Sequence, residues 1–157
     1  MRRLPPLLRK AWFSLNQVFR LRIAALGITP DHYSILRWLH ESPSGGMTQR
    51  ELTEAMASDP NTIAATLRRM EAAGFLIRPP HQRDRRARLV QITSEGERLF
   101  FQARSVAQAL EAEALGELPP GEIHHFLELL EGVGEACAKA LAAQREQEPI
   151  PRSLPEP

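Results

Sequence analysis

Apolar positions along this chain follow two rhythms. From residue 7 to residue 26 they recur at helical spacing, with Leu8, Ala11, Leu15, Val18 and Phe19 on one side, until Gly27 breaks the pattern. Thr29-Pro30 has the form of a helix start, threonine as N-cap and proline at the first helical position. That helix runs through Tyr33, Leu36 and Leu39 to a Ser-Pro-Ser-Gly-Gly loop at 42–46. Thr48 and Glu51 stand in the S/T-x-x-E spacing of a capping box, which predicts a short helix burying Leu52, Ala55 and Met56. Asp59-Pro60 repeats the cap-and-proline signal and opens a further helix, which ends at Gly74, suited to a left-handed stop.

Beyond Gly74 the period changes. FLIRPP and RLVQIT read as two strands, and Leu89 and Gln91 alternating with Val90 and Ile92 give the period of a half-buried strand. Thr93 or Ser94 caps a long helix that ends before Pro119-Pro120. On the last helix Ile123, Leu127, Leu130, Val133, Cys137 and Leu141 form a seam suited to helix–helix packing. The Pro- and Glu-rich tail is expected to be disordered or extended. This order predicts a mainly α (α+β) fold: a winged helix-turn-helix with a two-stranded β-wing, flanked by N- and C-terminal helices.

The net charge of +1 conceals an asymmetry. Residues 1–90 carry 15 Lys/Arg against 7 Asp/Glu, a balance of +8, while residues 91–157 carry 5 against 12, a balance of −7. One half can therefore face a polyanion while the other faces water or a sister chain. A single cysteine excludes an intrachain disulfide and a cysteine-built zinc site, and the five histidines suggest no metal site and no cofactor. No apolar run reaches the roughly 20 residues that span a bilayer. No small-residue cleavage site follows the N-terminal MRRLPPLLRKAWF, so a cytoplasmic protein without membrane contact is expected. No Ser-His-Asp set, paired carboxylates or phosphate loop has usable spacing, which argues against an enzyme.

On a helical wheel of residues 61–74, Ile63, Leu67 and Met70 share the core side. Asn61, Ala65, Arg68 and Ala72 lie opposite, with Thr62 and Arg69 on a flank, and no acid appears before Glu71. Small residues let a backbone approach DNA, and amide, hydroxyl and guanidinium donors reach base edges or phosphates. The Pro60–Thr62 turn offers helix-start N–H groups to an anion. Gln49 and Arg50 lie where the preceding helix would cross the phosphate backbone, although Arg50 is equally placed to pair with Glu54. The stretch HQRDRRARLVQIT holds four arginines around Asp84. They serve either to protect a strand edge from pairing or as a finger aimed at phosphate.

The segments GITPDHYSILRWL and MTQRELTEAMASDPNTIAATLRRMEAAGFLIRPPHQRDRRARLVQITSEG resemble the MarR-type transcriptional regulators. The most specific matches are RMEAAGFLIR and the D-R-R…LVQIT…G wing, and close similarity covers roughly residues 26–100. The resemblance implies a homodimer formed through the first, fifth and sixth helices. It would bind a pseudo-palindromic double-stranded DNA operator, with recognition helices in major grooves and wings at flanking minor grooves. A repressor released by a small aromatic or phenolic effector is expected. The chain then divides into residues 1–28 as an N-terminal dimerisation helix, 29–93 as the winged DNA-binding domain, 94–143 as C-terminal dimerisation helices and 144–157 as a flexible tail. Carried over by position, Asn61, Thr62, Ala65 and Arg69 fall in the DNA-reading helix, and Asp84 and Arg86 match the wing's D-x-R pattern. Arg85 lies between them at the tip, and Asp84 can orient the Arg86 guanidinium. Ala65 departs from the arginine or polar residue many members carry there, which shifts base readout toward Asn61, Thr62 and Arg68, or toward contact of Ala65 with a thymine methyl group.

For the effector, Trp12, Phe19, His32, Tyr33 and Trp38 from the first two helices are the candidates. Core or dimer packing is the competing role for Trp12, Phe19 and Trp38, and surface placement or helix capping for His32. Cys137 raises a redox-sensing alternative, weakened by its place on the apolar seam. A winged-helix protein-interaction module without DNA binding is the other alternative, and the basic wing and acid-poor helix face argue against it.

Overall fold

The computed structural model describes residues 3–80, 88–119 and 121–147. Among the described residues there are six α-helices: α1 (Leu4–Ile23), α2 (Pro30–Glu41), α3 (Gln49–Ala55), α4 (Pro60–Ala72), α5 (Ser94–Leu115) and α6 (Glu122–Gln147). A short 3-10 turn, Ala24–Leu26, follows α1 and stops at Gly27. Helix α6 runs past residue 143, so residues 144–147, expected in the tail, are helical.

The caps form as the local sequence requires. The Thr29 hydroxyl accepts from the His32 amide at 3.3 Å, and Thr48 and Glu51 complete their reciprocal box. The Asp59 carboxylate accepts from the amides of Asn61 and Thr62 at 2.9 and 3.0 Å. At the end of α4 the Gly74 amide donates to Glu71 and the Phe75 amide to Met70, each at 2.9 Å, and Gly74 stands at φ 79°. That pair of bonds is a Schellman stop, and it turns the chain sharply into the first wing strand.

Strands β1 (Met47–Thr48), β2 (Leu76–Ile77) and β3 (Leu89–Ile92) form an antiparallel sheet in the order β1-β3-β2. Met47 pairs with Val90 and Leu76 with Ile92. The expected hairpin is present as β2 and β3, and β1 adds a third strand absent from the pattern-based expectation. Thr93 is the junction. Its hydroxyl donates to the Gly74 carbonyl at 2.7 Å and accepts from the Gly96 amide at 3.1 Å, so it caps α5 and fastens it to the end of α4. A side chain at Gly96 would collide with the Phe75 carbonyl, which makes glycine obligatory at this contact.

The chain divides between Ala112 and Glu113 into two compact units. The first holds α1 through most of α5 and contains the core. Ile23, Ile35, Leu36, Leu52, Ile63, Leu67, Met70, Leu76, Val90 and Phe100 are all less than 2% exposed. Burying each such side chain contributes roughly 1.5–3 kcal/mol, so this core rather than helix propensity holds the winged arrangement. Leu52 is buried as expected, while Ala55 and Met56 are only half-buried at the end of α3. The second unit is α6 with its approach. Along it Leu127, Leu130, Leu141 and Cys137 are exposed, and Ile123 and Val133 half-buried, so its seam is uncovered in the single chain.

Candidate nucleic-acid interface

Helices α3 and α4 pack together across a turn that contains Ala57 at φ 46°, a left-handed position a glycine would occupy more comfortably. Ile63, Thr66, Leu67 and Met70 anchor α4 to the core. Its opposite face presents Asn61, Thr62, Arg68, Arg69 and Ala72 to solvent, with Ala65 half-buried. That is the arrangement the helical period predicts, and the face carries no acid between Asn61 and Arg69.

The residues on this face are not equivalent. Arg68 is exposed and, among the described residues, holds no hydrogen bond or ion pair. Arg69 is drawn along its own helix, where Nη2 donates to the Thr66 hydroxyl at 3.2 Å. The first turn of α4 is not a vacant anion seat. Asp59 already takes the Asn61 and Thr62 amides, its oxygen lies 3.4 Å from the Thr62 hydroxyl, and Pro60 has no N–H. What that turn can offer DNA is the side chains of Asn61 and Thr62, rather than the backbone N–H groups expected from the sequence.

Gln49 opens α3, and its amide reaches the Pro60 carbonyl at 3.5 Å, joining the starts of α3 and α4. Arg50 lies 3.8 Å from Glu54 with both side chains well exposed, a pair worth little in water. Arg50 is therefore able to leave Glu54 for a phosphate. Asp84, Arg85 and Arg86 lie outside the described residues. At the base of the wing, Arg88 is exposed, bridges to Pro80 across the hairpin, and donates to the Arg78 carbonyl at 3.2 Å.

The five effector candidates do not share one place. Phe19 and Tyr33 meet edge to face at 5.1 Å, and Tyr33 stacks on Phe100 at 6.0 Å. Phe100 in turn lies 4.5 Å from His40, and the Arg104 guanidinium sits 6.0 Å over its ring. Burial pushes the Tyr33 phenol above its ordinary range, with Arg37 and Arg104 opposing. Trp38 lies apart under the Arg37 guanidinium, lining a shallow depression of about 310 Å³ with Glu41, Ser42, Pro43 and Met47. Trp12 is 66% exposed on α1. Sequence reasoning named Phe19 and Tyr33 but missed Phe100, the ring that links them to α5.

His32 completes the Thr29 capping box, its Nδ1 accepting from the Thr29 amide at 3.5 Å. That bond needs an unprotonated Nδ1. Burial, then the charge of Arg69, hold the His32 pKa below the ordinary 6.5, with Asp31 opposing. A depressed pKa in the folded state means its contribution to stability is present above pH 6.5 and is lost as pH falls through the lower folded value. Thermal unfolding followed from about pH 7.5 to about pH 5.5 should show a falling midpoint. In His32→Gln, which retains a capping acceptor but cannot titrate, that acid-side fall should be shallower. Equal slopes for the two proteins would remove His32 as the cause.

Fold and face together define a winged helix-turn-helix protein with an acid-poor, arginine-bearing face on the second helix of the motif. A family model described as MarR family matches residues 28–87. Transcriptional regulator HosA of Escherichia coli is 32% identical over 126 residues, covering 77% of this chain and 92% of that protein. HTH-type transcriptional repressor Rv2887 of Mycobacterium tuberculosis is 30% identical over 126 residues, covering 78% and 89%. The crystal structure of Rv2887 in complex with DNA superposes with a TM-score of 0.71 at 27% identity, covering 85% of this chain and 99% of that one. The Staphylococcus aureus MepR–DNA complex is similar in fold, with a TM-score of 0.80 at 19% identity over 87% and 99%. The chain belongs to the MarR family.

Proposed function

We propose that this chain is a dimeric transcriptional repressor that reads a pseudo-palindromic operator with α4 and is released by a small aromatic effector. The observation that carries the DNA reading is the solvent face of α4. It leaves Arg68, Asn61 and Thr62 exposed and Ala65 half-buried, with no hydrogen bond or ion pair on Arg68 among the described residues and no acid between Asn61 and Arg69. The names of HosA and Rv2887, and the DNA complex of Rv2887, support the same reading. Arg68, Asn61 and Thr62 supply donors to base edges, Arg50 and Arg69 neutralise phosphate, and Gln49 positions the start of α4. Asp84, Arg85 and Arg86 remain the proposed wing contacts.

The dimer reading is supported by uncovered apolar surface at the two ends of the chain. Leu4, Leu7, Leu8, Trp12 and Leu15 of α1 are exposed, as are Phe126, Leu127, Leu129 and Leu130 of α6. Single exposed leucines are ordinary, but runs of this kind mark contact surfaces. In a dimer Cys137 shares that seam. The effector reading rests on half-buried Tyr33, with Arg37 and Arg104 near its phenol to suit an acidic aromatic ligand, while Phe19 and Phe100, 8% and 1% exposed, pack behind it as core. Selection of bound duplexes from random DNA tests the reading. Enriched half-sites related by a two-fold axis, about one helical turn apart, are expected, and the absence of any enriched sequence would overturn it.

A further inference from the structure

Between the reading helix and the wing lies a contact that no base or phosphate needs to touch. Glu71 is in the last turn of α4, and Arg78 follows β2 on the far side of the Gly74 stop. Both Arg78 Nε and Nη2 reach Glu71 Oε2, at 2.8 and 2.6 Å. The arginine side chain is 21% exposed and the carboxylate 39%, so the pair is partly shielded from water. A two-pronged charge-assisted grip of this kind fixes direction as well as distance. The Arg78 backbone is held from the other side, since its carbonyl accepts from Arg88 on the returning strand.

The wing needs such a tie because its ladder is short. Strand β2 contributes only two residues, and Pro79 and Pro80 beyond it have no N–H to donate. Past the Ile77–Gln91 pair, among the described residues, the stem is held by the Leu89 amide on the Pro79 carbonyl at 3.0 Å, the Pro80–Arg88 bridge, and the Arg88 and Arg78 side chains. A stem with so few backbone bonds opens locally at low cost unless something else ties it.

We infer that Glu71 and Arg78 are positioning residues for DNA binding: their ion pair sets the angle of the wing relative to α4, so that both reach the same duplex. This inference rests on the DNA-binding reading above. It assigns a role to the one acid on α4, which sits beside the reading face without repelling phosphate because Arg78 covers it.

The test uses the full-length protein and its Glu71→Gln variant, with Glu71→Arg combined with Arg78→Glu as the rescue. Amide exchange is expected to rise roughly fivefold at Leu89, while the amides of Ile63 and Leu67 in α4 stay unchanged. Affinity for a selected operator with its flanks should fall roughly fivefold, and affinity for the same operator trimmed to the α4 half-sites should change less than about twofold. The charge-exchanged double variant should recover most of the flank-dependent affinity. Unchanged exchange at Leu89 would sink the latch, as would an equal loss on long and trimmed duplexes. Native protein that binds no duplex would sink the regulator reading instead, and normal Leu89 exchange in the variant sinks the latch alone.

Discussion

Replacing Phe100 by alanine is expected to lower stability by about 3–5 kcal/mol, a large share of the roughly 5–15 kcal/mol that holds an ordinary domain together. Phe100 is 1% exposed on α5 and meets α2 at Tyr33 and His40, beside Phe101, which also reaches His40. Truncation removes the buried ring and leaves a cavity. The walls of that cavity belong to helices already fixed by Leu36, Ile35 and Leu99, so collapse recovers little. Urea unfolding followed by circular dichroism, at one fixed protein concentration because association adds to stability, measures the loss. A change below about 1 kcal/mol would mean that the ring is not part of a packed core.

Arg68→Ala is expected to weaken operator binding by about 1–3 kcal/mol for each half-site, and by twice that in a dimer that loses both contacts. Its position argues for the effect. Arg68 is exposed on the solvent face of α4, while neighbouring Arg69 is occupied with Thr66. Since Arg68 supports no core contact, the folded state should keep its melting temperature. Fluorescence anisotropy with a selected duplex measures the loss. Affinity equal to that of the native protein would move the reading surface away from this face of α4.

What the sequence made legible was whatever depends on neighbours within a few residues. Thr29, Thr48 and Asp59 cap their helices because each side chain bonds an amide two or three residues on, and Gly74 stops α4 because only that backbone angle closes the Schellman bonds. The core face of α4 followed from the helical period for the same reason. Features that depend on distant partners were hidden. Met47 and Thr48 form a strand only because β3 returns beside them. Glu71 and Arg78 meet only because the chain reverses at Gly74, so no helical spacing pairs them. Tyr33 needs Phe100, far along the chain, before the two form one ring cluster. The backbone of the α4 start failed as a phosphate seat for a local reason. Asp59, recognised as its cap, also fills the position an anion would take.

A titration of the selected duplex and of a shuffled duplex of equal composition, each at several salt concentrations, tests sequence-specific DNA binding most directly. Two chains per selected duplex are expected, with affinity roughly a thousandfold or more above that for the shuffled one. A loss of roughly a thousandfold in affinity between about 50 and 200 mM salt should accompany it as counterions are released. Weak binding that ignores both sequence and salt would contradict the proposal that this chain is a DNA-reading regulator.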